Sequence, residues 1–330
     1  MATDRVAVLL TGAGKRYDIV SAFAQHAFTI AADPNPLAPA QYAADLRVAP
    51  PLFDDPGYVP FLQDLVREHD VRAVVPLTDL DLEVLARADL PAFVPPPEVA
   101  AATFDKWAAH ELLLSHGLPS PPTVLPGDEP ESYPVVVKPR RGSGGRSVHP
   151  AADRDEMQFF VRYVEREEPA MVQRLMSGPH FSIDLLCDLD GRCLNAIPRS
   201  MIESRGGESV KGTVTDDGEL VELGRRVGES LPVRGPCTVQ VFRDPEIGVA
   251  VYDVNTRFGG GFPSHMYGAL PGRTYPELIV RMAAGEQVEP HVGDFEAGMT
   301  FARWYWQVEL DENLRPTGRD IVDGGPRPPR

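Results

Sequence analysis

The stretch that most constrains this chain runs from Cys237 to Gly261 and reads CTVQVFRDPEIGVAVYDVNTRFGGG. Two alternating runs, Thr238–Phe242 and Val249–Val254, flank the turn-forming Asp244-Pro245-Glu246-Ile247-Gly248, which predicts a β-hairpin. Folded about Glu246/Ile247, the hairpin sets Gln240 opposite Asp253, and the period of two puts Asn255 on the face of Asp253. One carboxylate and two amides form an oxygen-only set suited to a hard cation. Mg2+ in particular keeps few protein ligands and completes its shell with water and phosphates, so it implies a nucleotide. Arg257 follows on the parity of Asn255, and Gly259-Gly260-Gly261 permits close backbone approach to a ligand. The same pattern also describes a surface hairpin with a solvated polar face.

A second motif weighs on the choice. The strand Pro134–Lys138 runs into Pro139-Arg140-Arg141-Gly142-Ser143-Gly144-Gly145-Arg146-Ser147, with another strand from Val148. A glycine-rich loop between strands, preceded by Lys138 and lined with Ser and Arg, covers a triphosphate with backbone N–H groups while the lysine neutralises it. Of the 32 Lys and Arg residues only Lys15, Lys106, Lys138 and Lys211 are lysines. In so Arg-biased a chain, a retained lysine marks a place where a compact ammonium serves and a planar guanidinium does not.

Ahead of these motifs, strands and helices alternate. Val6–Leu10 is a strand, Thr11-Gly12-Ala13-Gly14 a turn, Tyr17–His26 a helix, and Phe28–Ala32 a strand ending at Asp33. Leu62–Glu68 (helix), Ala73–Pro76 (strand), Asp81–Ala88 (helix) and Ala92–Val94 (strand) continue a parallel α/β pattern. Ligands of such sheets lie beyond the strand carboxyl ends, where Gly12, Gly14, Asp33, Thr78 and Asp79 gather, although both acids serve equally as caps. The dinucleotide fingerprint fails because Tyr17 stands where the third glycine belongs, which discounts a nicotinamide-dependent dehydrogenase.

Pro95-Pro96-Pro97 marks a boundary, and a helix through Ser115 follows Asp105-Lys106. Phe181–Asp188 and Arg192–Pro198 form a hairpin about Asp190-Gly191. Residues 199–211 read either as a mobile surface loop or as a grip in which Arg199, Arg205 and Lys211 hold a carboxylate and a transferring phosphoryl group. His265 either packs or deprotonates an amine. Tyr275–Ala284 is an amphipathic helix, Met299–Leu310 a closing strand and residues 321–330 a frayed tail.

A net charge of −16 argues against a general nucleic-acid or anionic-membrane binder. No apolar run spans a bilayer, MATDRVAVLL lacks a signal-peptide pattern, and Cys187, Cys193 and Cys237 form no CxxC pair. A cytoplasmic protein is expected.

The order of these motifs resembles the ATP-grasp superfamily, in the branch of the carbamoyl-phosphate synthase large subunit and PylC-like carboxylate–amine ligases. The resemblance runs through TGAG, DKWAAHELLLSHGLPSP, VVVKPRRGSGG, MVQRLMSGPHFSID and VYDVNTRFGGG, nearly the whole chain. It implies a mixed α/β and α+β fold: a Rossmann-like pre-ATP-grasp domain at residues 1–103, a small lid subdomain at 104–172, a central and C-terminal subdomain at 173–320, and a tail. It implies further that Lys106 and Lys138 contact the nucleotide phosphates, that Gly142, Ser143, Gly144 and Gly145 form the lid, and that Gln173, Arg174 and Leu175 pass the adenine. Gln240, Asp253 and Asn255 match the metal ligands, and Arg257 the arginine that steadies the phosphorylated intermediate. Arg174 and His180 stand where the family usually has glutamates, the second of which holds the ribose, and Asp253 is shorter than the usual Glu. The implied activity is ATP- and Mg2+-dependent (or Mn2+-dependent) joining of a small carboxylate, an amino acid among them, to an amine, in a chain whose relatives are commonly homodimers. Phosphorylation of bicarbonate and non-catalytic nucleotide binding are the alternatives.

Overall fold

The computed structural model describes residues 5–317 apart from 143, 206–207, 262–263, 304–306 and 308. Ser143 and the 321–330 tail therefore lie outside the described residues. The chain opens with β1 (Ala7–Thr11), α1 (Tyr17–Ala24), β2 (Phe28–Ala32), β3 (Leu46–Val48), α2 (Tyr58–His69), β4 (Val71–Pro76) and α3 (Leu82–Arg87). The strands form a parallel sheet in the order β3-β2-β1-β4. All five residues of β1 are buried, as a strand covered on both faces must be. Val8 and Leu10 pack with Ile19, Val20 and Phe23 of α1, whereas Ala7 and Leu9 face Leu62, Leu65, Leu82 and Leu85 of α2 and α3.

The expected strand at Ala92–Val94 reduces to a single bridge between Val74 and Ala92. At the proline run, Pro97 begins α4 (Pro97–Phe104). Proline in a first turn lacks only an N–H that the helix does not use there.

Next come α5 (Lys106–Ser115), β5 (Thr123–Val124), β6 (Val135–Pro139), β7 (His149–Ala151), α6 (Arg154–Val164) and β8 (Ala170–Arg174). Their four strands form a small sheet, β5-β8-β6-β7, closed by α6 over Val135, Val137, Met157 and Val164. The glycine loop is its β6–β7 connection.

The remaining chain supplies β9 (His180–Cys187), β10 (Cys193–Ser200), β11 (Glu203–Arg205), β12 (Glu208–Thr213), α7 (Gly218–Ser230), β13 (Gly235–Asp244), β14 (Gly248–Asn255), α8 (Ser264–Tyr267), α9 (Tyr275–Ala283) and β15 (Thr300–Ala302). An antiparallel sheet, β10-β9-β13-β14, packs one face on α7, where Gly224 and Gly228 allow the helix to lie close. Helix α9 crosses back to pack on α1 and β4 of the first sheet. Two expectations change here. Strands β11 and β12 pair antiparallel where a surface loop is one expectation, and β12 pairs in turn with β15. Of the closing strand expected over Met299–Leu310, β15 covers Thr300–Ala302, while residues 304–306 and 308 lie outside the described residues.

The β13–β14 turn pairs Asp244 with Gly248 and so centres on Glu246, one half-step from the Glu246/Ile247 axis that the sequence suggests. Unbroken, that register would set Gln240 against Tyr252 and turn Asp253 to the helix-covered face. A bulge at Tyr252 shifts it, restoring Gln240 opposite Asp253 and Thr238 opposite Asn255.

Candidate active site

Cross-strand register builds one wall of the site. Arg199, Ser182, Gln240 and Asp253 form one row across the four strands, and Asp184, Thr238 and Asn255 occupy the next. These rows face a cleft of about 960 Å³ whose other walls come from the first domain and the glycine loop. Among the described residues, the nucleotide, metal and intermediate-binding candidates all line this cleft except Lys211, and Asp33 and His265 do not line it either.

On the hairpin wall, Asn255 Nδ2 donates to Asp253 Oδ2 at 2.8 Å, and Arg257 Nη2 donates to Asn255 Oδ1 at 3.1 Å and to Asp79 Oδ2 at 2.6 Å. On the facing wall, Lys138 is 6% exposed and donates to Gln173 Oε1 at 2.9 Å. Gln173 is held in turn by its Nε2 bond to Thr123 Oγ1 at 2.9 Å. Burial brings the Lys138 pKa down to about 8, with Asp253 opposing and Lys106 adding to the fall. A buried ammonium whose hydrogen-bond partner here is a neutral amide suits an incoming anion.

Lys106 Nζ donates to the carbonyl of Gly142 at 2.7 Å. The loop is anchored behind it, because Asp105 caps α5 through the amides of Trp107 and Ala108 and pairs with Arg140 at 2.7 Å. Gly142, Gly144 and Gly145 all have positive φ, which L side chains rarely adopt, so the loop needs glycine there.

Around the adenine-side residues, Arg174 pairs with Glu246 of the β13–β14 turn, while Leu175 lines the cleft. His180 stacks on Phe242 with ring centroids 4.7 Å apart and meets the Tyr252 hydroxyl. Burial and the nearby Arg199 hold its pKa down to about 4, so its imidazole is neutral at pH 7.

Arg199 is buried and donates to Asp184 at 2.8 Å, and Asp184 also accepts from Thr238 at 2.7 Å. Arg205 and Lys211 are largely exposed and both pair with Glu203, at 3.2 and 2.6 Å. His265 packs: it is buried between Phe258 and Tyr275, with Nδ1 4.0 Å from Asp184. Asp33 caps a turn, accepting from the amides of Gly14 at 2.7 Å and Asn35 at 2.8 Å. The triple glycine serves close packing of protein on protein. A Cβ would lie 2.6 Å from Thr238 Oγ1 at Gly259, 2.9 Å from Glu208 at Gly260 and 2.8 Å from the Ser209 amide at Gly261.

Sequence reasoning missed Tyr252, whose place in the cleft depends on a bulge with no residue signature. It also missed the ties between domains, Lys15 to Glu208 at 2.7 Å and Arg16 to the carbonyl of Gly259. The lysine count was the available signal for the first.

Comparison with known proteins agrees with this architecture. Residues 103–261 match the ATP-grasp domain, and residues 8–92 match the PylC-like N-terminal domain. The chain thus carries an ATP-grasp domain behind a PylC-like N-terminal domain. It is similar to the carbamoyl phosphate synthase large chain of Agathobacter rectalis, at 26% identity over 207 residues, covering 57% of this chain and 19% of that one. It is also similar to the N-acetylaspartylglutamate synthase A of Mus musculus, at 25% identity over 145 residues and 38% of each chain. The chain thus spans well under half the length of these curated relatives. Among solved structures, the L-amino acid ligase from Bacillus licheniformis superposes with a TM-score of 0.67 at 20% identity, over 90% of this chain and 79% of that one. The N5-carboxyaminoimidazole synthetase of Staphylococcus aureus gives 0.71 at 16%, over 90% and 81%. These likenesses establish the fold. Among the described residues no helix is long and apolar enough to cross a membrane.

Proposed function

We propose that this chain is an ATP-dependent carboxylate–amine ligase that works through an acyl phosphate. The observation that carries the reading is the opposition, over one cleft, of buried Lys138 beside a glycine loop and the Asp253–Asn255 pair. Names of relatives point the same way: one is an L-amino acid ligase, another was crystallised with ADP.

Among the described residues no three of His, Cys, Asp and Glu converge. Gln240, Asp253 and Asn255 nonetheless fit Mg2+ or Mn2+ in a nucleotide complex, because such a cation takes most of its ligands from phosphates and water. When bound, the metal would neutralise charge between the β- and γ-phosphates. Lys106, Lys138 and the amides of the loop 142–145 balance the rest, while Gln173, Arg174, Leu175 and His180 flank the nucleoside. A substrate carboxylate attacks the γ-phosphorus, the bond to ADP breaks, and an acyl phosphate forms. Arg257 holds that anion while an amine adds to its carbonyl carbon, phosphate leaves and the nitrogen loses a proton. Arg205, which also lines the cleft, receives the incoming carboxylate, and Lys211 supports it by sharing Glu203.

The test is ADP release with paired panels of carboxylates and amines, amino acids first, and mass spectrometry of the product. The reading expects ADP and amide in equal amounts only when both partners are present. Turnover with bicarbonate in place of the acid, or nucleotide binding with no turnover on any pair, contradicts it.

A further inference from the structure

Tyr252 is the residue that the β14 bulge leaves without a cross-strand partner. A bulge re-aims a side chain, and here Tyr252 and Asp253, adjacent in sequence, both line the cleft while Val251 is buried behind them. The Tyr252 hydroxyl donates to Gln240 Oε1 at 3.0 Å and meets His180 Nε2 at 2.5 Å. A phenol has one proton. Because that proton goes to Gln240, His180 must present an Nε2–H to the phenol oxygen, so the chain of donors runs from His180 through Tyr252 to Gln240.

The three oxygen-bearing side chains of the hairpin differ in how they are held. Asp253 and Asn255 are bonded to each other, and Asn255 also accepts from Arg257. Gln240 has three side-chain torsions, and ordering such a chain costs rotamer entropy. Tyr252 is what pins it. The amide oxygen carries two lone pairs, so accepting Tyr252 leaves one for a second partner.

We propose that Tyr252 is a positioning residue: it holds Gln240 by its amide oxygen so that the remaining lone pair meets a divalent cation shared with Asp253 and Asn255. This rests on the metal-binding part of the ligase reading. Tyr252 is supplied to the cleft by a break in strand register.

The experiment uses the full chain and Tyr252→Phe, which keeps the ring and removes the hydroxyl. Mn2+ is titrated in the presence of ADP, with free Mn2+ followed by its EPR signal, and ADP affinity is measured separately without metal. Outer-shell partners of a metal site typically matter by about 10–100-fold. The expected result is a Mn2+ affinity lowered about tenfold or more, an unchanged metal-free ADP affinity, and no further loss when Tyr252→Phe is added to Gln240→Ala. Unchanged Mn2+ affinity overturns the proposal, as does a lowered melting temperature with Mn2+ binding intact. So does an equal loss in the Gln240→Ala background, or joint loss of metal-free ADP binding. Wild-type chain that binds ADP but no Mn2+ overturns both this proposal and the metal site; Mn2+ binding without turnover on any substrate pair rejects only the ligase reading.

Discussion

Arg257 and Asp79 stand 2.6 Å apart, joining the hairpin wall of the cleft to the loop after β4 of the first domain. Their side chains are 13% and 24% exposed, so the pair is shielded but not dry. Asp79→Asn removes the charge and keeps the shape. It is expected to cost about 1–2 kcal/mol in urea unfolding, at the lower end for a charged hydrogen bond because solvent still reaches it. In turnover assays kcat should fall about tenfold as Arg257 loses its orientation, with the KM for ATP unchanged. A rise in KM for ATP alone would place the pair in nucleotide binding instead.

Lys138 sets a pH dependence. Its pKa in the fold is about 8, below the ordinary 10.5, and burial is the main cause. The unfolded chain therefore holds the extra proton between pH 8 and 10.5, and this group's contribution makes the ligand-free protein more stable as pH rises through that window. Nucleotide binding runs the other way, since phosphate favours the charged ammonium. Calorimetry should show ADP affinity falling about tenfold per pH unit at most above pH 8, with proton uptake on binding at pH 8.5. Flat affinity from pH 7 to 9.5 would exclude Lys138 as a phosphate contact.

Asp81 is a buried carboxyl that accepts from the Tyr58 hydroxyl at 2.7 Å, and burial raises its pKa to about 6. The folded state then binds an extra proton between about pH 4 and 6, so stability falls as pH rises through that window and stays reduced above it. Asp81→Asn keeps an acceptor for Tyr58 without the charge. It should raise stability at pH 8 by at most about 3 kcal/mol, the gain vanishing near pH 4. A loss of stability at pH 8 would show that the charge is used.

Gly224 of α7 lies against the central sheet, and a Cβ there would sit 2.7 Å from Ile183 Cγ2 and 3.1 Å from the Ala196 Cβ. Two effects compete in Gly224→Ala: better helix propensity contributes about 1 kcal/mol, and overpacking costs about 1–3. The contact at 2.7 Å to a branched side chain on a central strand favours the cost. Thermal unfolding should show net destabilisation; a higher melting temperature would mean that the sheet yields.

Local patterns carried much of this. Phe28–Ala32 has the strand ends the residues suggest, and the helix read as ending at Ser115 does end there. What stayed hidden was set by partners distant in sequence. The charged stretch at Glu208–Thr213 is a strand held between the neighbouring β11 and the distant β15, and no residue inside it records the second pairing. Helix α7 carries Gly224 and Gly228, which lower its propensity while serving its packing and so mask the helical spacing of Leu220, Leu223 and Val227 behind the Asp217 cap. The pairing of Gln240 with Asp253 is legible from the alternating pattern, yet it arises from a turn and a bulge whose half-step offsets cancel. Lys106, Lys138 and the glycine loop stood out because unusual composition marks them.

The central claim is that one cleft clamps a Mg2+-nucleotide between the glycine loop with its lysines and the β13–β14 hairpin. Isothermal titration of ADP, with and without Mg2+, into wild type, Lys138→Ala and Asp253→Ala tests it. The account predicts that Lys138→Ala weakens ADP about tenfold or more in both conditions, and that Asp253→Ala loses only the part of the affinity that Mg2+ adds. Wild-type affinity in both variants would contradict it.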